Sequence, residues 1–584
     1  MKNLFKLFLA VVALFAYSCV TDTTEDLGVQ VGGGQNVTEI TLSLEESRTQ
    51  LGAKAEGVYP LFWSEGDAIS VNGVASTALT AQQAGASAAT FTIDGTVAAP
   101  YCIAYPAAPA GQVLFAENQV HAGNGTFGNG VSTMYAYGSA EGVQLNHLTG
   151  VLKIGVTGAD KLTFAQISTA DRAPIAGAFA LNFESGELEA TATASSVINY
   201  SFGEGVQLSG DATYIHVAVP AGVYDELYVT LYDVNGGVMY ATVKAGESKP
   251  LAVGTVREFS APIVYTANSN VFVVRDAASL KAFAEAVNEA NSFYTQDVLM
   301  VADVDMTGEE WTSLNWDSAR MNTDGDVALL ATFHGNGYAI KGLTAPLFDT
   351  LTANVKGLHL RDVNINESVR PNVGALARWA TARTLTEKDT RMDTLATASQ
   401  IAKPTISHCS AKGELKVDCK EFTYDANRYK PAYAPFSIGG LIAVNYSCDV
   451  MDCVNEINMD IDQIVAAGNT TTLHPWIGGV VGYSEILLET KLGTHNTVVP
   501  NYYRLENKGN IDYFDPYTEF STSKYSKTEV ALGGVIGANS NVSYEGSIHD
   551  LINRGTINVS GGLGSNSYIG GCLGRPASGD GKNF

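Results

Sequence analysis

Two short motifs alternate over the later part of the chain, and they constrain its fold more than any other feature. One is a glycine motif framed by apolar residues: Val373-Gly374-Ala375-Leu376, Ile438-Gly439-Gly440-Leu441-Ile442, Ile477-Gly478-Gly479-Val480-Val481, Leu532-Gly533-Gly534-Val535-Ile536 and Ile569-Gly570-Gly571-Cys572-Leu573. Between its copies lies the other: Ile406-Ser407-His408-Cys409, Val450-Met451-Asp452-Cys453-Val454-Asn455, Tyr502-Tyr503-Arg504-Leu505-Glu506-Asn507-Lys508-Gly509 and Ile548-His549-Asp550-Leu551-Ile552-Asn553-Arg554-Gly555. Successive glycine copies start 65, 39, 55 and 37 residues apart. A fixed core with variable spacing predicts rungs of a solenoid whose insertions leave as loops. Strands stacked about 4.8 Å apart then place each apolar side chain on its counterpart in the next rung.

The rest of the chain also reads as β. It has 584 residues, enough for several structural units, and its 59 glycines exceed the usual share of about 7%. A formal charge of −25 repels phosphate backbones, which excludes nucleic acid as a partner. Between residues 37 and 263, apolar residues alternate at period two, as in Ile40, Leu42 and Leu44, or Leu227, Val229 and Leu231. Turn signals such as Asp94-Gly95 and Asn124-Gly125 separate the runs, and a stretch of this length predicts two β-sandwiches, at 37–150 and 151–263. A linker follows at 264–270. Asp276 then caps one helix, with Leu280, Phe283, Ala284 and Val287 on a single face. Residues 271–584 form the repeat region, whose last unit reads as cut short at Phe584.

At the N-terminus, a short positive region with Lys2 and Lys6 is followed by an apolar run from Leu7 to Ala16 that is too short to span a bilayer and reads as an export signal. Its end, Tyr17-Ser18-Cys19, resembles the lipobox of bacterial lipoproteins. That likeness implies removal of 1–18 and lipidation of Cys19; the polar, Gly-rich run 19–36 reads as a flexible tether, and its Asp22, Glu25 and Asp26 resemble export tags that send lipoproteins to the outer membrane, facing the extracellular side.

Arg48-Thr49, Trp63-Ser64-Glu65-Gly66-Asp67, Tyr105-Pro106, Leu148 to Ile154 and Val219-Pro220-Ala221-Gly222 together resemble the fimbrillin-like surface lipoproteins. The resemblance implies transthyretin-like sandwiches, assembly with fimbrial subunits and a candidate protease-processing site at Arg48. Read from the residues alone, Trp63 is a core aromatic and Gly66-Asp67 a turn. The alternating glycine and Asn-x-Gly units are similar to GLUG motif repeats of large bacterial surface proteins. That likeness implies a right-handed parallel β-helix with the lone helix capping its N-terminal end.

No catalytic constellation is found, and the expectation is that this is not an enzyme. The nine histidines form no H-E-x-x-H and no G-x-S-x-G elbow occurs. Neither metal nor cofactor is called for. Cys409 and Cys453 share the repeat position of Leu505 and Leu551 and read as small buried hydrophobes. A disulfide joining Cys448 to Cys453, or Cys409 to Cys419, stays open in an extracellular setting. The functional expectation is a lipid-anchored surface adhesin or fimbrial accessory protein that presents loops to a glycan or protein ligand. The contact candidates are Tyr424, Arg428, Tyr429, Tyr513 and Tyr517. Two alternatives are a polysaccharide-degrading β-helix enzyme drawing on Asp303, Asp305, Arg361 and Asp362, and an envelope spacer without specific ligand.

Overall fold

A computed structural model of the chain describes residues 37–43, 62–139, 145–245, 250–259, 261–268, 270–290, 294–324, 327–370, 372–385, 400–418, 436–463, 475–491, 494–515, 530–539, 548–561, 563 and 567–575. The fold is almost entirely β, with one helix among the described residues and several parallel sheets. The chain divides into two compact units, residues 1–169 with 173–268, and residues 170–172 with 269–584.

In the first unit, antiparallel pairing dominates. Val37–Ser43 lies on Ala88–Asp94 with Ile40 opposite Phe91 and Leu42 opposite Ala89. The period-two pattern of the sequence becomes the buried face of this pair. Trp63 fills the centre, edge-on to Phe91 and Tyr105 at centroid distances of 4.9 and 5.2 Å. Beside it Asp67 accepts hydrogen bonds from the Ser64 backbone N–H at 2.6 Å and the Tyr105 hydroxyl at 2.7 Å, while Gly66 takes φ 88°, the turn its sequence suggests. Further along, Thr149–Thr157 pairs with Thr213–Pro220, and Lys161–Thr169 runs between Val197–Gln207 and Glu226–Asp233. Both of these sheets contribute to one apolar cluster that includes Leu152, Ile154, Ile167, Ile198, Ile215 and Val229.

The second unit opens with Val271–Val274 and the helix Ala277–Glu289. The Asp276 carboxylate accepts from the Ser279 N–H at 2.8 Å, and the Ser279 hydroxyl accepts from the Asp276 N–H at 3.0 Å, a reciprocal capping box. Leu280, Phe283 and Val287 are buried, and Phe283 packs against Trp316 and Phe333 at 5.3 and 5.9 Å.

Parallel ladders then take over. Seven strands follow one another in a single parallel sheet: Leu314–Asp317, Phe348–Thr352, Ala377–Thr381, Ile442–Tyr446, Val481–Glu485, Ile536–Asn539 and Leu573–Arg575. A second ladder joins Ser437–Gly439, Trp476–Gly478, Ala531–Gly533 and Tyr568–Gly570, stacking Ile438, Ile477, Leu532 and Ile569. The Asn-x-Gly units form part of a third ladder, in which Ile406, Val450, Tyr502 and Ile548 stack in register.

The polar residues of the motif prove as structural as the apolar ones. Asn455 donates to Asn507 at 2.7 Å, and Asn507 to Asn553 at 2.8 Å. Each amide also donates to the carbonyl two residues ahead: Ile457 at 3.3 Å, Gly509 at 2.9 Å and Gly555 at 3.1 Å. The glycine motif gives this asparagine column its room, since a Cβ on Gly479 would lie 2.0 Å from the Gly534 carbonyl oxygen and 2.4 Å from the Asn507 side chain. At the corner before each apolar position, His408, Asp452, Arg504 and Asp550 all adopt left-handed φ, between 50° and 58°.

Cys409, Cys448 and Cys453 all carry free thiols here. Tyr513 is not a loop residue: it lies in the strand Ile511–Asp515, in register with Ile461 and Val559, and is only 4% exposed. Alternation along the strand turns Ile511 and Tyr513 to the buried face, leaving Asp512 and Phe514 outside. Cys19, Arg48, Cys419, Tyr424, Arg428, Tyr429 and Tyr517 lie outside the described residues.

Candidate functional site

The seven-stranded ladder carries an aromatic surface that its in-register pairing assembles. Trp379, Val444, Tyr483 and Ala538 succeed one another at a single register position, and Thr381, Tyr446 and Glu485 at the position two residues on. Trp476 reaches the same patch from the second ladder and stacks on Tyr483 with ring centroids 4.0 Å apart and planes at 19°. Trp379, Tyr446 and Trp476 are half-buried, so each still meets solvent, whereas Tyr483 is 5% exposed. The Tyr483 hydroxyl donates to the Glu485 carboxylate, and the other oxygen of that carboxylate accepts from the Ile486 N–H at 3.1 Å. Small residues, Ala443, Ala531 and Ala538, complete the cluster and leave the rings room.

Behind the rings the ladder is rigidly fastened. Asn445 is fully buried and donates to the Cys448 carbonyl at 2.9 Å and to the Tyr502 hydroxyl at 2.7 Å. Burial pushes the Tyr502 hydroxyl far above the ordinary phenol range, so at neutral pH it stays a neutral hydrogen-bonding group. These hydrogen bonds fix the strand, and with it the aromatic side chains on its other face. Chemically the patch offers three half-buried rings over a buried tyrosine, edged by a carboxylate.

The residues of the alternative lyase reading take part in local contacts. Asp303 accepts from the Ala339 N–H at 2.8 Å and pairs with Lys341 at 3.2 Å. Asp305 accepts from the Thr307 N–H at 2.9 Å, and its hydrogen bonds to Thr307 hold its carboxyl below the ordinary range. Arg361 donates to the neighbouring Leu360 carbonyl at 3.1 Å, and Asp362 takes a left-handed corner with φ 50°. Among the described residues, no group of three or more His, Cys, Asp or Glu side chains could hold a metal ion.

Sequence reasoning missed Trp379, Tyr446, Trp476 and Tyr483. It followed the inward apolar positions of the repeat, while the signal lay in the alternate ones. Trp476 and Tyr483 stand where the next copy carries Ala531 and Ala538.

Residues 317–388 match the N-terminal region of the M26 IgA1-specific metallo-endopeptidases. The chain is also 29% identical over 198 residues to an immunoglobulin A1 protease of Streptococcus sanguinis, a match covering 32% of this chain and 9% of that protein. Among solved structures, an IgA1 protease aligns over 73% of this chain and 28% of its own, at 13% identity and a TM-score of 0.27. A Bacteroides uniformis chain provisionally named a cell adhesion protein aligns over 39% of this chain and 93% of its own, at 14% identity and a TM-score of 0.23. The sequence matches correct one expectation. A chain read as having no enzymatic character is similar, over part of its length, to proteins named as proteases.

Proposed function

We propose that the chain is a surface-displayed binding protein whose aromatic patch, Trp379, Tyr446, Trp476 and Tyr483 with Glu485, holds a glycan or the glycan-bearing part of a protein. The observation that carries this reading is the stacked Trp476–Tyr483 pair, 4.0 Å apart on an in-register ladder. In this reading the three ladders of residues 271–584 are the faces of a right-handed parallel β-helix, with the helix Ala277–Glu289 over its first rung. The mainly antiparallel sheets of 37–263, which exchange strands across residue 150 as Gln112–Phe115 pairs with Gly177–Leu181, are read as transthyretin-like sandwiches. Cys19, lipidated after removal of 1–18, anchors the chain to the outer membrane through the 19–36 tether. The export-signal pattern of residues 1–18 and the likeness to a streptococcal protein named for immunoglobulin A1 both support a place at the cell surface.

A second reading rests on the protease matches: these residues serve substrate recognition in a metallo-endopeptidase, with immunoglobulin A1 as the first macromolecule to test. Binding of the purified chain to a glycan array and to immunoglobulin A1 tests both readings. Trp476→Ala and Trp379→Ala together are expected to weaken binding roughly tenfold or more, from lost ring contacts. Binding that survives both substitutions unchanged removes the aromatic patch from the account. Cleavage of immunoglobulin A1 by the purified chain would favour the second reading. Cys19→Ala is expected to release the protein from cells into the medium.

A further inference from the structure

The second unit brings together two cysteines that lie far apart in sequence. Ser407 pairs with Met451, and Ser410 with Val454, so the strands on either side of Cys409 and Cys453 run at one constant offset. The Val454 N–H donates to the Cys409 carbonyl at 3.0 Å, which fixes the two residues as rung-to-rung neighbours. Each follows a left-handed corner residue, His408 at φ 52° and Asp452 at φ 53°, and that shared corner turns both side chains to the interior. They are 1% and 0% exposed. Their thiols even adopt the same pose, each donating to the carbonyl two residues back, Ser407 and Met451, at 3.2 Å.

Parallel neighbours sit about 4.8 Å apart, within the roughly 4.4–6.8 Å Cα separation that a disulfide spans, and closing the bond draws the two Cβ atoms together to about 3.8 Å. Cys448 does not compete. Asp449 pairs with Thr405, so the residue in register with Cys448 in the rung above is Pro404.

We propose that Cys409 and Cys453 form a disulfide that staples two adjacent rungs of the parallel stack, and that the free thiols seen here are its reduced form. Two S–H bonds break and one S–S bond forms. The two electrons and two protons pass to a disulfide oxidant, such as oxidised glutathione, which leaves as two thiols. Burial, and then hydrogen bonding with Cys409, hold the Cys453 thiol well above the ordinary thiol range. The finished stack therefore keeps it protonated and unreactive, and the bond closes while the rungs assemble.

Peptide mapping tests this on the full chain, refolded from denaturant in a glutathione redox buffer and then alkylated in denaturant without reductant. The expected result is a peptide containing Cys409 linked to one containing Cys453, lost on reduction, with Cys102, Cys448 and Cys572 alkylated. Complete alkylation of Cys409 and Cys453, or a link from either to Cys448 or Cys419, overturns the proposal. Reductant is also expected to lower the melting temperature of the native chain but not of the Cys409→Ala, Cys453→Ala variant. An equal shift in both contradicts the staple.

Discussion

Asn507 is fully buried and uses its amide in three directions, accepting from Asn455 and donating to Gly509 and Asn553. Its replacement by Ala leaves one N–H of the buried Asn455 amide unpaired and removes a bond to the half-buried Asn553. A buried polar group left unpaired costs about 1–3 kcal/mol, so Asn507→Ala is expected to lower the unfolding free energy by roughly that amount in a urea titration. Gly479→Ala is expected to cost at least as much, because the methyl would meet the Gly534 carbonyl oxygen at 2.0 Å. Acid acts on other residues. Burial, then the charge of Lys153 and the neighbouring His121, lower His216 to about 4, while burial, then the charge of Lys356, lowers His334 to about 3. The unfolded chain therefore takes up these protons first. Stability present above about pH 6.5 is lost as pH falls toward 4, by up to about 1.4 kcal/mol per pH unit for each histidine. Denaturant midpoints at pH 7.5 and 5 measure this, and His216→Phe is expected to flatten the slope.

At the scale of elements, the helix Ala277–Glu289 separates capping from packing. Asp276→Ala removes the capping box and is expected to cost about 1 kcal/mol. Phe283→Ala empties a site between Phe272, Trp316 and Phe333 and is expected to cost about 3–5 kcal/mol, readable as a fall in thermal midpoint. This helix was legible in the sequence because cap and face both lie within its own residues. So were the strands of the glycine motif, whose inward positions repeat openly. Tyr513 was misread because Pro516 and Asp515 make its surroundings look like a loop, whereas its place is set by Ile461 and Val559 in neighbouring rungs. Cys409 and Cys453 were weighed against cysteines near in sequence, although stacking chooses their neighbour. The aromatic patch was missed for a related reason, since a column across strands is invisible along one strand.

For the whole molecule, such columns decide what the chain can display. In-register stacking aligns Trp379 with Tyr483, Asn455 with Asn507 and Asn553, and Cys409 with Cys453, and a shift of one residue would turn every one of them to the opposite face. Stacked repeats gain stability from contacts between neighbouring rungs, so damage at Asn507 is felt first in the rungs beside it. The central claim is therefore the parallel register itself, and engineered cysteine pairs on the exposed edge test it most directly. Asn458 donates to Glu414 at 3.0 Å in one neighbouring rung and accepts from the Asn510 N–H at 3.1 Å in the other. Under mild oxidation Glu414→Cys with Asn458→Cys is expected to give a linked peptide by mass spectrometry, and Glu414→Cys with Asn510→Cys, two rungs apart, is expected to give none. A link in the second pair, or its absence in the first, would contradict the stack and everything arranged on it.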